Sequence, residues 1–306
     1  MGIDLTNLPE INKNILMYKN AVIDWSLIIA IGIAWGSSFL FIKISAPEVG
    51  PITLVFSRLL IASLILSPFF IRKEHLKNLK EDFPSIIFLA CINASIPFYL
   101  FSRAAIDLNA GTMSVLNGTT PLFAFIIASL WLRLGSNLTQ LMGIFIGIVG
   151  LFIFVGYESL EFSLFALVLC LLASFFYAFS SNFIFTTKEI DATYLASMTL
   201  LVATFLVFPF TFLEDGLNLN HPNEVLLSVF LLGFLCTGLA YMGYVVLIKR
   251  VGPVKASTVV LIVPVSGMIW ANIFLDEAIT STMLMGCLLI ITGVGLVNFF
   301  KDEASN

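Results

Sequence analysis

The sequence predicts an all-α membrane protein: ten transmembrane helices forming two inverted five-helix repeats, with both termini cytoplasmic. Three observations carry this prediction. The 306 residues are 59% hydrophobic and only 11% charged, with a mean hydropathy of +1.03, which is far more apolar surface than a soluble domain of this size can bury. Ten stretches approach the length of about 20 helical residues that crosses a hydrocarbon core. Finally, a shift of 143 positions lays the first half on the second: Ser37 and Ser38 fall on Ser180 and Ser181, Ser114 on Ser257, Pro121 on Pro264, Gly143 on Gly286 and Gly150 on Gly293. Matches at one offset over such a distance indicate duplication, and a unit with an odd number of spans must re-enter the membrane upside down.

The first span, Trp25–Ile44, follows a polar stretch of mixed charge without the features of a cleavable signal, so it is expected to remain as a helix. Pro51–Ile71 carries Arg58 seven positions in and is stopped by the basic run from Arg72 to Lys80. Ser85–Ile106 holds Asn93 and Pro97 and ends near Arg103 and Asp107, whose spacing lets them pair on one helix face. Thr112–Leu132 has Pro121 mid-span and is closed by Arg133. Thr139–Val155 presents Gly143, Gly147 and Gly150 at near-GxxxG spacing, a close-packing surface.

The second unit repeats this order. Phe162–Thr186 contains Tyr177 and the serine pair, and Tyr194–Leu213 leads into an outer loop free of Lys and Arg. Val225–Ile248 carries Tyr241 and Tyr244, Val254–Leu275 carries Pro264 and Trp270, and Thr280–Phe300 carries Gly286 and Gly293. The expected domains are a cytoplasmic tail (1–24), a first repeat (25–157), a second, inverted repeat (158–300) and a short cytoplasmic tail (301–306).

Positive loops stay on the cytoplasmic side. With the N-terminus inside, twelve of the fifteen Lys and Arg residues fall on the inner side; Lys43 and Arg103 lie at outer helix ends, and Arg58 lies within the membrane. A multi-pass protein of the cell (inner) membrane is expected. The four cysteines lie inside apolar spans and none is at metal-ligand spacing, so neither a disulfide nor a metal is expected. The net charge of −4 sits mainly in loops and tails and gives no basis for nucleic-acid binding. His75 and His221 lie in hydrophilic loops, and no mid-membrane carboxylate pair or activated nucleophile suggests an enzyme.

Several motifs together resemble the drug/metabolite transporter superfamily, and specifically its EamA-like branch. AWGSSF from Ala34 to Phe39 is followed by Lys43, Pro47, Pro51 and Arg58. AGTMSVLNGTTPLF from Ala110 to Phe123 answers to KASTVVLIVPV from Lys255 to Val265, each with a mid-helix proline, and LDEAIT from Leu275 to Thr280 is similar to the acidic turn that ends such a repeat. The corresponding first-half turn, LGSNLTQ from Leu134 to Gln140, departs from the pattern by lacking a glutamate. The resemblance implies two five-helix bundles around a central cavity, alternating access, no cofactor, and export of amino acids or related metabolites. Uptake, exchange of amines, nucleobases or sugar phosphates, and a channel remain as alternatives.

Arg58 is the most informative residue. It lies within about 5 Å of its helix's middle, where a charge costs about 2.5 to 3.5 kcal/mol, so it must face a cavity or a partner. Either it bonds backbone carbonyls and holds helices together, or it anchors a substrate carboxylate. Asn93 and Asn117 align with Cys236 and Val260, and Arg58 aligns with Leu201, so the first half supplies polar groups without polar twins. Each Asn also stands four before a proline and has the alternative role of bonding a freed carbonyl. Trp35, Phe98, Phe101, Tyr177, Tyr241, Tyr244 and Trp270, with Ser38 and Ser181, complete the candidate substrate site, suited to an amphipathic carboxylate. Pro121 and Pro264 are the candidate hinges. The expected partners are the lipid bilayer and a small-molecule substrate, with the chain a monomer or a homodimer through its Gly-rich helices.

Overall fold

The computed structural model describes residues 10–70, 79–131, 137–158, 163–187, 190–214, 218, 220–256 and 258–299. Ser257, the repeat partner of Ser114, lies outside them, as do the basic loop after Phe70 and the turn from Leu132 to Ser136. The described chain forms ten rods: α1 Glu10–Val49, α2 Pro51–Phe70, α3 Leu79–Ala104, α4 Ala110–Trp131, α5 Leu138–Glu158, α6 Leu164–Thr186, α7 Ala192–Leu213, α8 Asn223–Ala256, α9 Val259–Leu275 and α10 Ser281–Phe299. Eight contain apolar runs long enough to cross a membrane; the last two offer shorter runs, Val259–Leu275 and Ser281–Val297. This is an all-α, multi-pass membrane protein of about ten helices.

Two boundaries differ from expectation. α1 reaches back to Glu10, into the stretch read as a polar tail. α9 begins at Val259 rather than Val254, because α8 continues through Pro253 to Ala256 before the turn at Thr258. Four rods are not simple α-helices. α3 takes a π turn over Ala90–Ser95 and α8 another over Leu232–Leu239. α4 breaks at Gly118 and Thr119, and α7 tightens into a 3₁₀ turn over Phe208–Leu213. The π turn of α3 immediately precedes Pro97, which has no N–H to give the preceding turn. The π turn of α8 lies 143 residues later and has no proline behind it.

The packing obeys a pseudo-two-fold rule. Exchange each helix of the first half with the one five places on, and the neighbours are preserved: α2 packs on α7, α4 on α9 and α5 on α10. α1 lies against α8 and α9 just as α6 lies against α3 and α4, and α2 meets α8 as α7 meets α3. Short connections make successive helices alternate in direction, so paired helices five apart run oppositely. The main buried cluster draws on every helix except α7.

The tightest seam is α5 on α10. A Cβ on Gly143 would stand 2.7 Å from the Gly293 carbonyl, and one on Gly150 3.0 Å from the Gly286 carbonyl. At these four glycines each helix packs on the other within one chain. Pro121 and Pro264 are not equivalent in place: Pro121 sits in the first turn after the α4 break, whereas α9 runs unbroken through Pro264. The Pro264 ring packs at the break, with its Cγ 2.7 Å from where a Gly118 Cβ would be.

Candidate functional site

Each of the two π turns carries polar groups of the central cluster. In α3 the turn holds Asn93, and in α8 it holds Cys236 and Thr237. π turns add a residue without breaking the helix, and they leave backbone and side-chain groups pointing where an α-helix would not. The Thr237 hydroxyl uses this, donating 2.8 Å to the Leu232 carbonyl five residues earlier.

Arg58 of α2 is buried and gives two N–H groups, Nε at 3.2 Å and Nη2 at 3.0 Å, to that same Thr237 oxygen. Its guanidinium carbon stands 3.6 Å from the centre of the Phe98 ring, a cation–π contact. The ion pairs among the described residues are Arg103 with Asp107 and Arg250 with Asp24, both away from this centre, so no carboxylate neutralises Arg58 there. One hydroxyl and one aromatic face hold a full positive charge.

Around it the halves make matching contacts with different atoms. Ser180 of α6 donates 2.8 Å to Asn93 Oδ1, and its counterpart Ser37 of α1 meets the Cys236 sulfur at 3.5 Å. The Tyr241 hydroxyl lies near Asn93, while Trp35 Nε1 donates 3.1 Å to the Cys236 carbonyl. Trp35 and Tyr244 have ring centres 5.0 Å apart, and Tyr177 packs on Phe101 at 6.1 Å and on Phe98 at 6.4 Å. The result is a half-buried aromatic wall beside a cation and a carboxamide.

Of the residues singled out from sequence, the structure gathers Arg58, Trp35, Asn93, Phe98, Phe101, Tyr177, Tyr241 and Tyr244 into this cluster. Four lie elsewhere. Ser38 and Ser181 donate to carbonyls of their own helices, Trp35 and Ala178, and Ser181 is exposed. Asn117 ends the first segment of α4, where its carbonyl accepts from Thr120. Trp270 donates to the Ile33 carbonyl of α1 and packs at a tilt against exposed Phe274. The Asn93 side-chain oxygen accepts from Ser180 on another helix.

Thr237, Ser37, Ser180 and Cys236 are the site residues that sequence reasoning passed over. For Thr237 a signal existed: it aligns with apolar Ala94, the mirror of the Asn93 and Cys236 comparison. No group of three or more His, Cys, Asp or Glu able to hold a metal occurs among the described residues.

The sequence pattern of the EamA-like transporter family matches residues 25–156 and again 164–299. The chain belongs to this family. Relatives of this EamA-like transporter run nearly its whole length. One is "Uncharacterized transporter YoaV" of Bacillus subtilis (strain 168), 24% identical over 89% of this chain and 95% of its own. An "Uncharacterized transporter" of Archaeoglobus fulgidus is 23% identical over 86% of this chain and 94% of its own. A "Probable terminal-alkyne amino-acid exporter" of Streptantibioticus cattleyicolor is 22% identical over 90% and 92% respectively. A solved crystal structure superposes with a TM-score of 0.65 over 92% of this chain and 98% of that one, at 12% identity, which speaks to the fold alone.

Proposed function

We propose that this EamA-like protein is a secondary transporter that exports amino acids or related amphipathic carboxylates by alternating access, with both termini cytoplasmic. The observation that carries this reading is Arg58: a buried guanidinium at mid-membrane whose hydrogen-bond acceptor among the described residues is one threonine hydroxyl. A charge so placed is costly unless a counter-ion arrives, and a substrate carboxylate is that counter-ion. Asn93, Ser180 and Tyr241 offer polar contacts to the rest of the head group, and Trp35, Tyr244, Phe98 and Tyr177 supply the apolar wall. The exporter named among the relatives supports the same substrate class. The pseudo-two-fold packing, with a helix break at Gly118 against Pro264, supports two units that rock.

The test is counterflow in proteoliposomes. Internal amino acid should accelerate entry of labelled amino acid, which a channel would not do. Arg58→Gln should slow this exchange roughly 10- to 100-fold, the loss of a hydrogen bond to a charge at about 1.5–3 kcal/mol. Exchange equal to wild type at equal membrane abundance would remove Arg58 as the anchor and with it this reading.

A further inference from the structure

Two glutamates of the second half cap two helices of the first, at one end of the molecule. Glu214, just past α7, accepts from the first backbone N–H groups of α2: Ile52 N at 3.1 Å and Thr53 N at 2.9 Å, one on each carboxylate oxygen. Glu277, in the turn after α9, does the same for α4, with Ala110 N at 2.8 Å and Gly111 N at 3.0 Å. Both seats are shaped for the carboxylate. Gly50 turns into α2 with φ of +88°, and a Cβ there would collide with the Glu214 carboxylate. On the other side, Asp276 takes a left-handed conformation at φ 52°, and Asn272 Nδ2 donates 2.9 Å to the Glu277 carbonyl, fixing the turn that presents the acid.

Among the described residues the arrangement occurs at this end. The starts of α2 and α4 and the ends of α7 and α9 all lie at the same end, because successive helices alternate. The residues 143 positions from the two acids are Ile71 and Leu134. At the other end, α7 is capped locally by its own Asp191, which accepts from Tyr194 N at 2.9 Å. A pair of oxygens on successive N–H groups at a helix N-terminus is a charge-assisted, dipole-favoured contact. It is also readily remade after it breaks.

We propose that Glu214 and Glu277 are the latches of the gate at that end, holding α2 and α4 of the first half against the second, and that both must release before the central site opens there. The proposal rests on alternating access, the reading argued above, but not on the identity of the substrate.

Cys236 in the central cluster is a native reporter. In a variant whose other cysteines are replaced (Cys91→Ala, Cys170→Ala, Cys287→Ala), a membrane-impermeant maleimide added to sealed vesicles reads access from each side. Adding Glu214→Gln with Glu277→Gln should raise Cys236 labelling from the latch end roughly tenfold, the shift expected on losing capping contacts. No rise, or a rise from the opposite end, overturns the proposal; a C-terminal tag scored for protease access fixes the orientation independently. As a second measurement, Ile52→Cys with Glu214→Cys, oxidised to a disulfide, should abolish labelling of the Cys236 peptide from the latch end, and that peptide should be labelled again on reduction. Persistent labelling with the disulfide formed also overturns the latch. Neither labelling needs a substrate, so failure of the amino-acid reading leaves both results standing.

Discussion

Gly143 and Gly286 hold the same place in the two halves, and each has the other half's helix where a side chain would stand. Arg58 and Leu201 also hold the same place, yet one is a buried cation on Thr237 and the other lines an uncharged groove between α2 and α7 with Phe56, Leu60, Ser63 and Phe205. Where the halves agree, helices touch; where they disagree, one half has kept or acquired chemistry. The central contacts make the point atom by atom. A serine on α1 meets a thiol, the matching serine on α6 meets a carboxamide, and only one half supplies the cation. On the proposed reading, the symmetric frame rocks about its axis while the asymmetric site recognises a molecule that is itself asymmetric.

The largest effect should come from breaking the frame. A side chain on Gly293 would meet the Gly143 carbonyl and the Gly147 backbone within 2.8 Å, and backbone cannot swing aside as a side chain does. Gly293→Leu should cost about 3 kcal/mol or more, read as loss of monodisperse protein after detergent extraction. Its twin, Gly150→Leu, faces Leu289 and the Gly286 carbonyl and should do the same. If only one of the two disrupts folding, the seam is not the symmetric element described.

The next largest comes from forcing symmetry on the site. Leu201→Arg places a charge in the groove between α2 and α7, which holds no charged residue and whose Ser63 and Thr204 hydroxyls already pair with each other. It should cost about 3 kcal/mol on insertion and lower membrane abundance. Arg58→Leu, which makes the halves alike in the other sense, should leave abundance near wild type, because it removes a poorly compensated charge. Equal abundance for Leu201→Arg and wild type would mean that the second half also has a polar pocket at this depth.

Hydropathy and the 143-residue offset made the frame legible before any coordinate, because span length and small-residue seams are written directly in the letters. The site was legible only in part. Arg58 and Asn93 declared themselves by being polar at mid-span without polar twins, and the comparison run the other way picks out Thr237 over Ala94. The π turns left no trace, since one added residue in a helical turn changes neither hydropathy nor span length. They rotate everything after them, so which face of α3 or α8 looks inward could not be fixed by counting. Glu277 stood out only as a family-like acidic turn, and its target, the first turn of α4, is 166 and 167 residues away in sequence.

The adjacent serines expose the same limit of phase and give the smallest prediction. One residue turns a helix by about 100°, so Ser37 and Ser38 cannot both face the centre, and sequence offers no ground for choosing. In the structure the first of each pair reaches across: Ser37 to Cys236 and Ser180 to Asn93, each also bonding its own helix. Among the described residues Ser38 and Ser181 bond their own helices, to the carbonyls three residues back. Replacing Ser180 with Ala should cost about 1 kcal/mol, slowing counterflow about fivefold by freeing Asn93 to turn from its set orientation. Ser37→Ala should cost less, a thiol being a weak partner. Ser38→Ala and Ser181→Ala should stay within about twofold of wild type, the range of surface substitutions. If Ser181→Ala slows transport more than Ser180→Ala, α6 presents its other face to the substrate and the site must be rebuilt around a different rotation of that helix.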